Sequence, residues 1–371
     1  MRILQVVRLL SPDGAQGGTA RVAINQSAEL ISRGHDVTVV AATRGYDVVP
    51  DSLDGVPVIL FPARTLVPAM GFAGMGAPAL IRWFRANYKR FDVVHIHFSR
   101  DLVVLPVALA ARRRRVPYVL QPHGQVVPST HPLAAPVDTV WTRKALRAAG
   151  AVFCLTSQEH DQLIEVAGPN LALTHLGNGV PEYPTAVPPA GPPEVLFAAR
   201  MHPRKRPIAF VDMAKALLDA GVDARFTLIG PDEGEGPALR AALKGESRIA
   251  WEGALPQSAV PQRMAAASVF VLPSLQEPYP MTVLEAMSVG IPVVVSADCG
   301  LAPLVERADC GVVVDPEVPK LAAAVGSILA DPSHARAMSD RGRATVRAEI
   351  RMTEIGDRLM DTYHELLAGV R

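Results

Sequence analysis

Cysteine is scarce in this chain: three residues in 371, Cys154, Cys299 and Cys310. They have neither the density of a disulfide scaffold nor the spacing of a metal site, so small core residues of a reduced, cytosolic protein without a bound metal are expected. A surplus of charge is missing too. Thirty-seven Lys and Arg stand against 36 Asp and Glu, a net +1, which removes the basic field that a dedicated nucleic-acid binder needs. Long apolar runs are also absent. The longest stretch without Lys, Arg, His, Asp or Glu lies between Arg64 and Arg82 and is broken by Pro68, Gly71, Gly74, Gly76 and Pro78, short of the roughly 20 residues that span a bilayer. The run from Met1 to Leu10 is interrupted by Arg8, so no secretory signal is expected.

What is present is apolar mass in quantity. Hydrophobic residues make up 49% and charged residues 20% of a length that suits two α/β cores better than one. The charge is unevenly divided. Residues 1–180 carry 18 basic and 12 acidic side chains, and residues 181–371 carry 19 and 24, which suggests different ligands or surfaces for the two halves.

Periodicity gives the same division. Ile3 to Leu9 is a short apolar run, followed by a turn with Gly14, Gly17 and Gly18 and a helical pattern from Thr19 that Gly34 stops; Asp36 to Ala41 is the next strand. Further strands are expected at Val93–Phe98, Tyr118–Gln121, Val152–Leu155 and Leu171–Leu176. The segment 181–193 carries six prolines and reads as an extended linker between domains 1–180 and 194–352. After it the alternation restarts, with strands at Val195–Ala199, Phe226–Ile229, Ile249–Glu252, Val269–Leu272, Val293–Ser296 and Val312–Val314. A last helix near 353–371 is placed to return to the first domain. Two Rossmann-like domains facing each other across an interdomain cleft are therefore expected, with ligands outside the carboxyl ends of the strands.

Charged groups follow those ends. Arg200 closes the strand Val195–Ala199, and Lys205 follows it; cations there suit a diphosphate and offset charge on a leaving phosphate. Glu277 and Glu285 flank seven residues running from a loop into a helix, where carboxylates accept hydrogen bonds from vicinal hydroxyls and the first N–H groups suit phosphate. Two readings remain open: a sugar and nucleotide site, or a helix cap at Glu277 with a surface ion pair at Glu285. Arg204 and Arg206 read equally well as solvated. His95 and His97 point to one face of their strand, either as packed residues or as acceptor contacts. His123 precedes Gly124, which permits close backbone approach. Leu80 to Arg90 reads as an amphipathic helix with Arg82, Arg85 and Lys89 on one side, either a crossover helix on the sheet or a surface for an anionic membrane. Arg112 to Arg115 reads as a solvated helix end.

The stretches FAARMHPRKRP, LIGP, EPYPMTVLEAMSVGIPVVVS and CGLAPLVE, with QGGTARVAINQSAELISRGHDVTVVA, FDVVHIHF, QPHG and LGNGVP in the first half, resemble the retaining GT-B glycosyltransferases of family 4 over nearly the whole chain. The resemblance implies a metal-independent hexosyl transfer from a nucleoside diphosphate sugar to a hydroxyl acceptor, with no cofactor; the basic first half and the helix Leu80 to Arg90 leave peripheral membrane contact open. It matches Arg200 and Lys205 to the diphosphate, Glu277 to the donor sugar, Glu285 to the ribose, Gly17 and Gly18 to the loop near donor phosphate and acceptor, and His123 to a histidine near the reacting sugar. Met281 and Thr282 supply helix N–H groups, while Pro280, where the family commonly has Gly, has none to donate. Gly18, His97 and His123 are the acceptor candidates. A sugar-nucleotide epimerase or a non-catalytic binder would share the architecture. A nicotinamide dehydrogenase fits worse, since Gly14-x-x-Gly17-Gly18 is not the dinucleotide fingerprint.

Overall fold

The computed structural model describes residues 1–12, 17–185 and 191–369. Gly14 and the linker residues 186–190 lie outside them. The chain divides into two compact units, Met1–Gly179 with Met352–Arg371, and Val180–Arg351.

In the first unit, strands β1 (Arg2–Leu10), β2 (Asp36–Thr43), β3 (Ser52–Leu53), β4 (Val56–Pro62), β5 (Arg64–Thr65), β6 (Met75–Gly76), β7 (Val93–His97), β8 (Tyr118–Gln121), β9 (Ala151–Cys154) and β10 (Leu173–His175) follow in order. Eight of them form one sheet in the order β10-β9-β8-β7-β1-β2-β4-β3. Its pairings are parallel except for the β3–β4 hairpin. Such strands are buried on both faces, and every residue of β7 and β8 is buried. The chain builds outward from β1 through β2 and β4, then returns to the other side of β1 with β7. The order reverses between β1 and β7, and in an open parallel sheet ligands bind at such a reversal.

The C-terminal helix Met352–Ala368 completes this unit. Met352, Ile355, Leu359, Met360 and Tyr363 pack with Ile3, Val93, Val119 and Phe153 of the sheet, while Arg33 binds Asp357 and the Thr353 carbonyl at the rim. Each buried aliphatic side chain contributes roughly 1.5–3 kcal/mol, so this one helix accounts for as much free energy as the ~5–15 kcal/mol net stability of a domain. Pro78–Asn87 is the helix with the basic face. Its Leu80 and Phe84 are fully buried in the core and Arg82 and Arg85 are exposed, as a crossover helix requires. The arginine run ends the helix Val104–Arg114, with Arg115 in the left-handed conformation as its cap.

The second unit contains β11 (Glu194–Ala198), β12 (Arg225–Ile229), β13 (Ile249–Trp251), β14 (Val269–Leu272), β15 (Val293–Ser296) and β16 (Gly311–Val314), in the order β13-β12-β11-β14-β15-β16 with every pairing parallel. Here the reversal falls between β11 and β14. At the opposite end of β11, Glu194 is buried and binds Arg263 through both oxygens, at 2.6 and 2.8 Å.

The units divide at Gly179/Val180, ahead of the proline segment, because the Val180 N–H already pairs with the Ile350 carbonyl and Pro181 accepts from Ser288. The expected strand at 171–176 shortens to three residues. The hairpin β3–β4 and the helices Ala302–Ala308, Val318–Ala330 and Pro332–Glu349 are additions to the sequence reading.

Candidate active site

In the second unit, β11 releases the chain at Ala199 and Arg200, and a short turn, Pro203–Lys205, follows. His202 accepts the Arg204 N–H at its start and Pro203 presets its first position. This turn carries Lys205 inward, where it is only 9% exposed. Its ammonium donates to the Glu277 carboxylate, and an Arg204 nitrogen stands 3.7 Å from the same oxygen. Burial pushes the Lys205 ammonium below its usual range against the pull of Glu277. Arg200 is held by Glu233.

Glu277 is placed by a loop clamped on several sides. The Leu275 N–H donates to the Arg204 carbonyl at 2.9 Å, the Gln276 N–H to Asp298 at 2.9 Å, and the Gly300 N–H to the Glu277 carbonyl at 2.8 Å. Gln276 takes a left-handed φ of 49° to make the turn. A Cβ on Gly300 would fall 1.8 Å from the Pro278 carbonyl oxygen, so only glycine lets these two strand-end loops meet. The chain then enters the helix Met281–Val289, which starts at Pro280 without a side-chain cap. Met281 and Glu285 are buried and Thr282 is partly exposed.

These facts exclude the reading as a helix cap and a surface ion pair. Glu277 is engaged by Lys205 rather than capping the helix, and Glu285, 5% exposed, is no surface ion pair. Arg204 and Arg206 are not free in solvent either: they donate to the carbonyls of Gln276 and Pro316.

In the first unit, His97 ends β7 and His123 follows β8, beside the β1/β7 reversal. His97 Nδ1 lies 2.7 Å from His123 Nε2, and His97 Nε2 lies 2.9 Å from Gln5 Oε1. His95 Nδ1 meets the Tyr363 hydroxyl at 2.7 Å. A second chain of amides runs from Gln26 through Gln121 to Asn178, each step 3.2 Å. Burial lowers all three imidazoles, His95 and His123 to about 3 and His97 well below its ordinary value, so each is neutral at neutral pH. His97 has both nitrogens engaged inside the protein, which corrects its expected role as a direct acceptor contact; His95 is likewise interior.

His123 sits on a turn with φ 55°. Glu159 fixes that turn by accepting the Gly124 N–H on one oxygen and the Leu155 N–H, at 2.7 Å, on the other. Gln125 ties the same turn to Thr19 at 3.0 Å. Gly17 and Gly18 open the helix Gly17–Ser32 just before Thr19. A Cβ on Gly18 would meet nothing within 4 Å, so no packing among the described residues demands glycine there. No cluster of three or more His, Cys, Asp or Glu suited to a metal occurs among the described residues.

Residues 17–179 match the glycosyl transferase 4-like domain, and residues 184–345 match the glycosyl transferases group 1. The chain belongs to these glycosyltransferases. Alpha-D-kanosaminyltransferase of Streptomyces kanamyceticus is 26% identical over 344 residues, 84% of this chain and 88% of that one. D-inositol 3-phosphate glycosyltransferase 1 of Catenulispora acidiphila is 27% identical over 402 aligned positions, 98% of this chain and 94% of its own. Anabaena HepE, solved in complex with UDP and glucose, superposes with a TM-score of 0.77 at 20% identity over 98% of this chain and 99% of that one. This glycosyltransferase therefore has the GT-B fold, with two Rossmann-like units.

Glu233, Gln5, Glu159 and Tyr363 are the site-shaping residues of the glycosyltransferase that the sequence reading missed. Glu159 alone had a local signal, following Thr156 at the capping-box interval. The others act across 33 to 268 residues of chain, where no local pattern reaches.

Proposed function

We propose that this glycosyltransferase moves a sugar from a nucleoside diphosphate sugar to a hydroxyl acceptor, with retention of anomeric configuration and without a metal ion. The observation that carries this reading is the gathering of Arg200, Lys205, Glu277 and an uncapped helix N-terminus around the β11/β14 reversal of one sheet. Cations and free N–H groups suit a diphosphate, and a buried carboxylate suits sugar hydroxyls. Glu285, one turn into the helix, takes the ribose. The first unit holds the acceptor near Gly17, Gly18 and His123.

In the reaction, the bond from the anomeric carbon to the phosphate oxygen breaks and its electron pair leaves with the diphosphate, whose charge Arg200 and Lys205 offset. The acceptor oxygen bonds to the anomeric carbon on the same face, and its hydrogen passes to the departing diphosphate. The relatives are named for a kanosaminyl group and for D-inositol 3-phosphate, and one fold neighbour was solved with UDP and glucose; a UDP-sugar donor and a small polar acceptor fit that company. The apolar side of the helix Pro78–Asn87 is already buried in the first unit, which favours a soluble acceptor over a lipid-borne one.

A panel of nucleotide sugars tests the reading by thermal stabilisation. A ligand at 100 times its Kd stabilises by about 2.7 kcal/mol, so a UDP-sugar should raise Tm by a few degrees. No shift with any nucleoside diphosphate or its sugars would overturn the assignment.

A further inference from the structure

Gln5 lies in the middle of β1, fully buried, and its amide oxygen is 2.9 Å from His97 Nε2. A carbonyl oxygen has lone pairs and no hydrogen, so the hydrogen between them belongs to His97. A neutral imidazole carries only one N–H. His97 Nδ1 is then a bare lone pair, and the group 2.7 Å away, His123 Nε2, must supply the hydrogen. The two rings lie within 7° of parallel, with centres 5.0 Å apart. By the same count, His123 Nδ1 is also bare. It is buried and has no hydrogen-bond partner among the described residues, although the nearby Asn178 side chain raises the basicity of the ring.

We propose that Gln5 and His97 are positioning residues, which hold His123 as the tautomer with hydrogen on Nε2 and so present Nδ1 as an acceptor for a hydroxyl hydrogen of a bound sugar or alcohol. The inference rests on the glycosyltransferase reading only for the ligand that owns the hydroxyl. The opposite tautomer would offer an N–H, which suits a phosphate or carbonyl oxygen instead. Burial supports the neutral count on which the relay depends, since His123 is lowered to about 3 and His97 well below its ordinary value. At that basicity Nδ1 orients a hydroxyl and does not carry off its proton. The clamp of Glu159 on Gly124 and the link from Gln125 to Thr19 keep the ring aligned with the relay.

The test needs no substrate, so its failure leaves the glycosyl-transfer reading standing. Histidine labelled with ¹⁵N in the ring is read by long-range proton–nitrogen correlation, with His123 assigned from its loss in His123→Asn. At neutral pH His123 should show a protonated Nε2 and a bare Nδ1. Gln5→Leu removes the acceptor oxygen and should turn the single species into a mixture. A wild-type His123 protonated on Nδ1 overturns the proposal. Where Gln5→Leu folds, an unchanged single tautomer in it overturns the proposal as well; where it does not fold, the wild-type spectrum decides.

Discussion

The ammonium of Lys205, beyond the end of β11, lies against the carboxylate of Glu277, beyond the end of β14, and both are buried. Burial draws the lysine towards neutrality and Glu277 opposes it. The two charges offset each other, so the proposed diphosphate would gain Lys205 only by sharing it with the carboxylate. Breaking such a pair from one side leaves an uncompensated charge in a poorly solvated place.

Glu277→Gln should therefore lower turnover about 10²-fold. It should also move the alkaline limb of the pH–turnover profile to lower pH, because Lys205 without its partner releases its proton sooner. An alkaline limb that stays in place would show that Glu277 does not hold Lys205 charged during turnover.

Arg200 and Glu233 form a more accessible pair, with side chains 31% and 21% exposed. Pairs of this kind contribute about 0.2–1 kcal/mol, so Glu233→Gln should tighten binding of a nucleoside diphosphate by up to about 5-fold. Arg200→Ala should cost about 10²-fold in turnover. Calorimetric titration checks the first and steady-state rates the second. Weaker binding in the Glu233 variant would mean that the carboxylate aims the arginine rather than competing for it.

Glu285 and Glu277 should separate by ligand. Glu285→Ala should weaken the nucleoside diphosphate and the intact donor alike, while Glu277→Ala should weaken mainly the donor. Equal losses of nucleoside diphosphate affinity in the two variants would abolish the division.

The three neutral histidines make the first unit acid-sensitive. Their folded pKa values lie below the ~6.5 of an unfolded histidine, so below about pH 6.5 the unfolded chain binds more protons and stability falls as pH falls. Each histidine contributes about 1.4 kcal/mol per pH unit in that window. Urea midpoints at pH 7 and pH 5 should diverge less in His123→Asn than in the wild type. An identical drop in both would remove His123 from the account.

The exposed arginines of the helix Pro78–Asn87 offer charge without an apolar anchor. Co-sedimentation with vesicles rich in anionic lipid should show no retention at physiological salt. Retention that disappears when Arg82, Arg85 and Lys89 become Gln would reinstate membrane docking.

Much of this was legible in the chain itself. The parallel sheets announce themselves through runs such as Val269–Leu272 and Val293–Ser296, which are apolar on both faces, and the positions of Arg200 and Glu277 just beyond strand ends follow from the same pattern. The helix Val318–Ala330 went unread although Leu321, Ala324, Val325 and Ile328 recur at helical spacing; so did the start of the next helix, where Asp331 accepts two backbone N–H groups ahead of Pro332. What the sequence could not disclose was partnership. That Glu277 faces Lys205, or that Tyr363 reaches His95, depends on which strands lie side by side, and spacing along the chain carries no such information. Strand β4 was hidden for a different reason, because Pro57 and Pro62 break its pattern.

The return of Met352–Ala368 to the first unit also sets an order of events during synthesis. Domains generally fold as units while the chain emerges from the ribosome, and Val180–Arg351 is complete as soon as it has been made. The first unit is not. Its Ile3, Val93 and Phe153 wait for Leu359 and Tyr363, residues translated after the whole of the second unit. The half that starts first therefore finishes last, and its sheet remains partly uncovered until Met352–Ala368 has emerged.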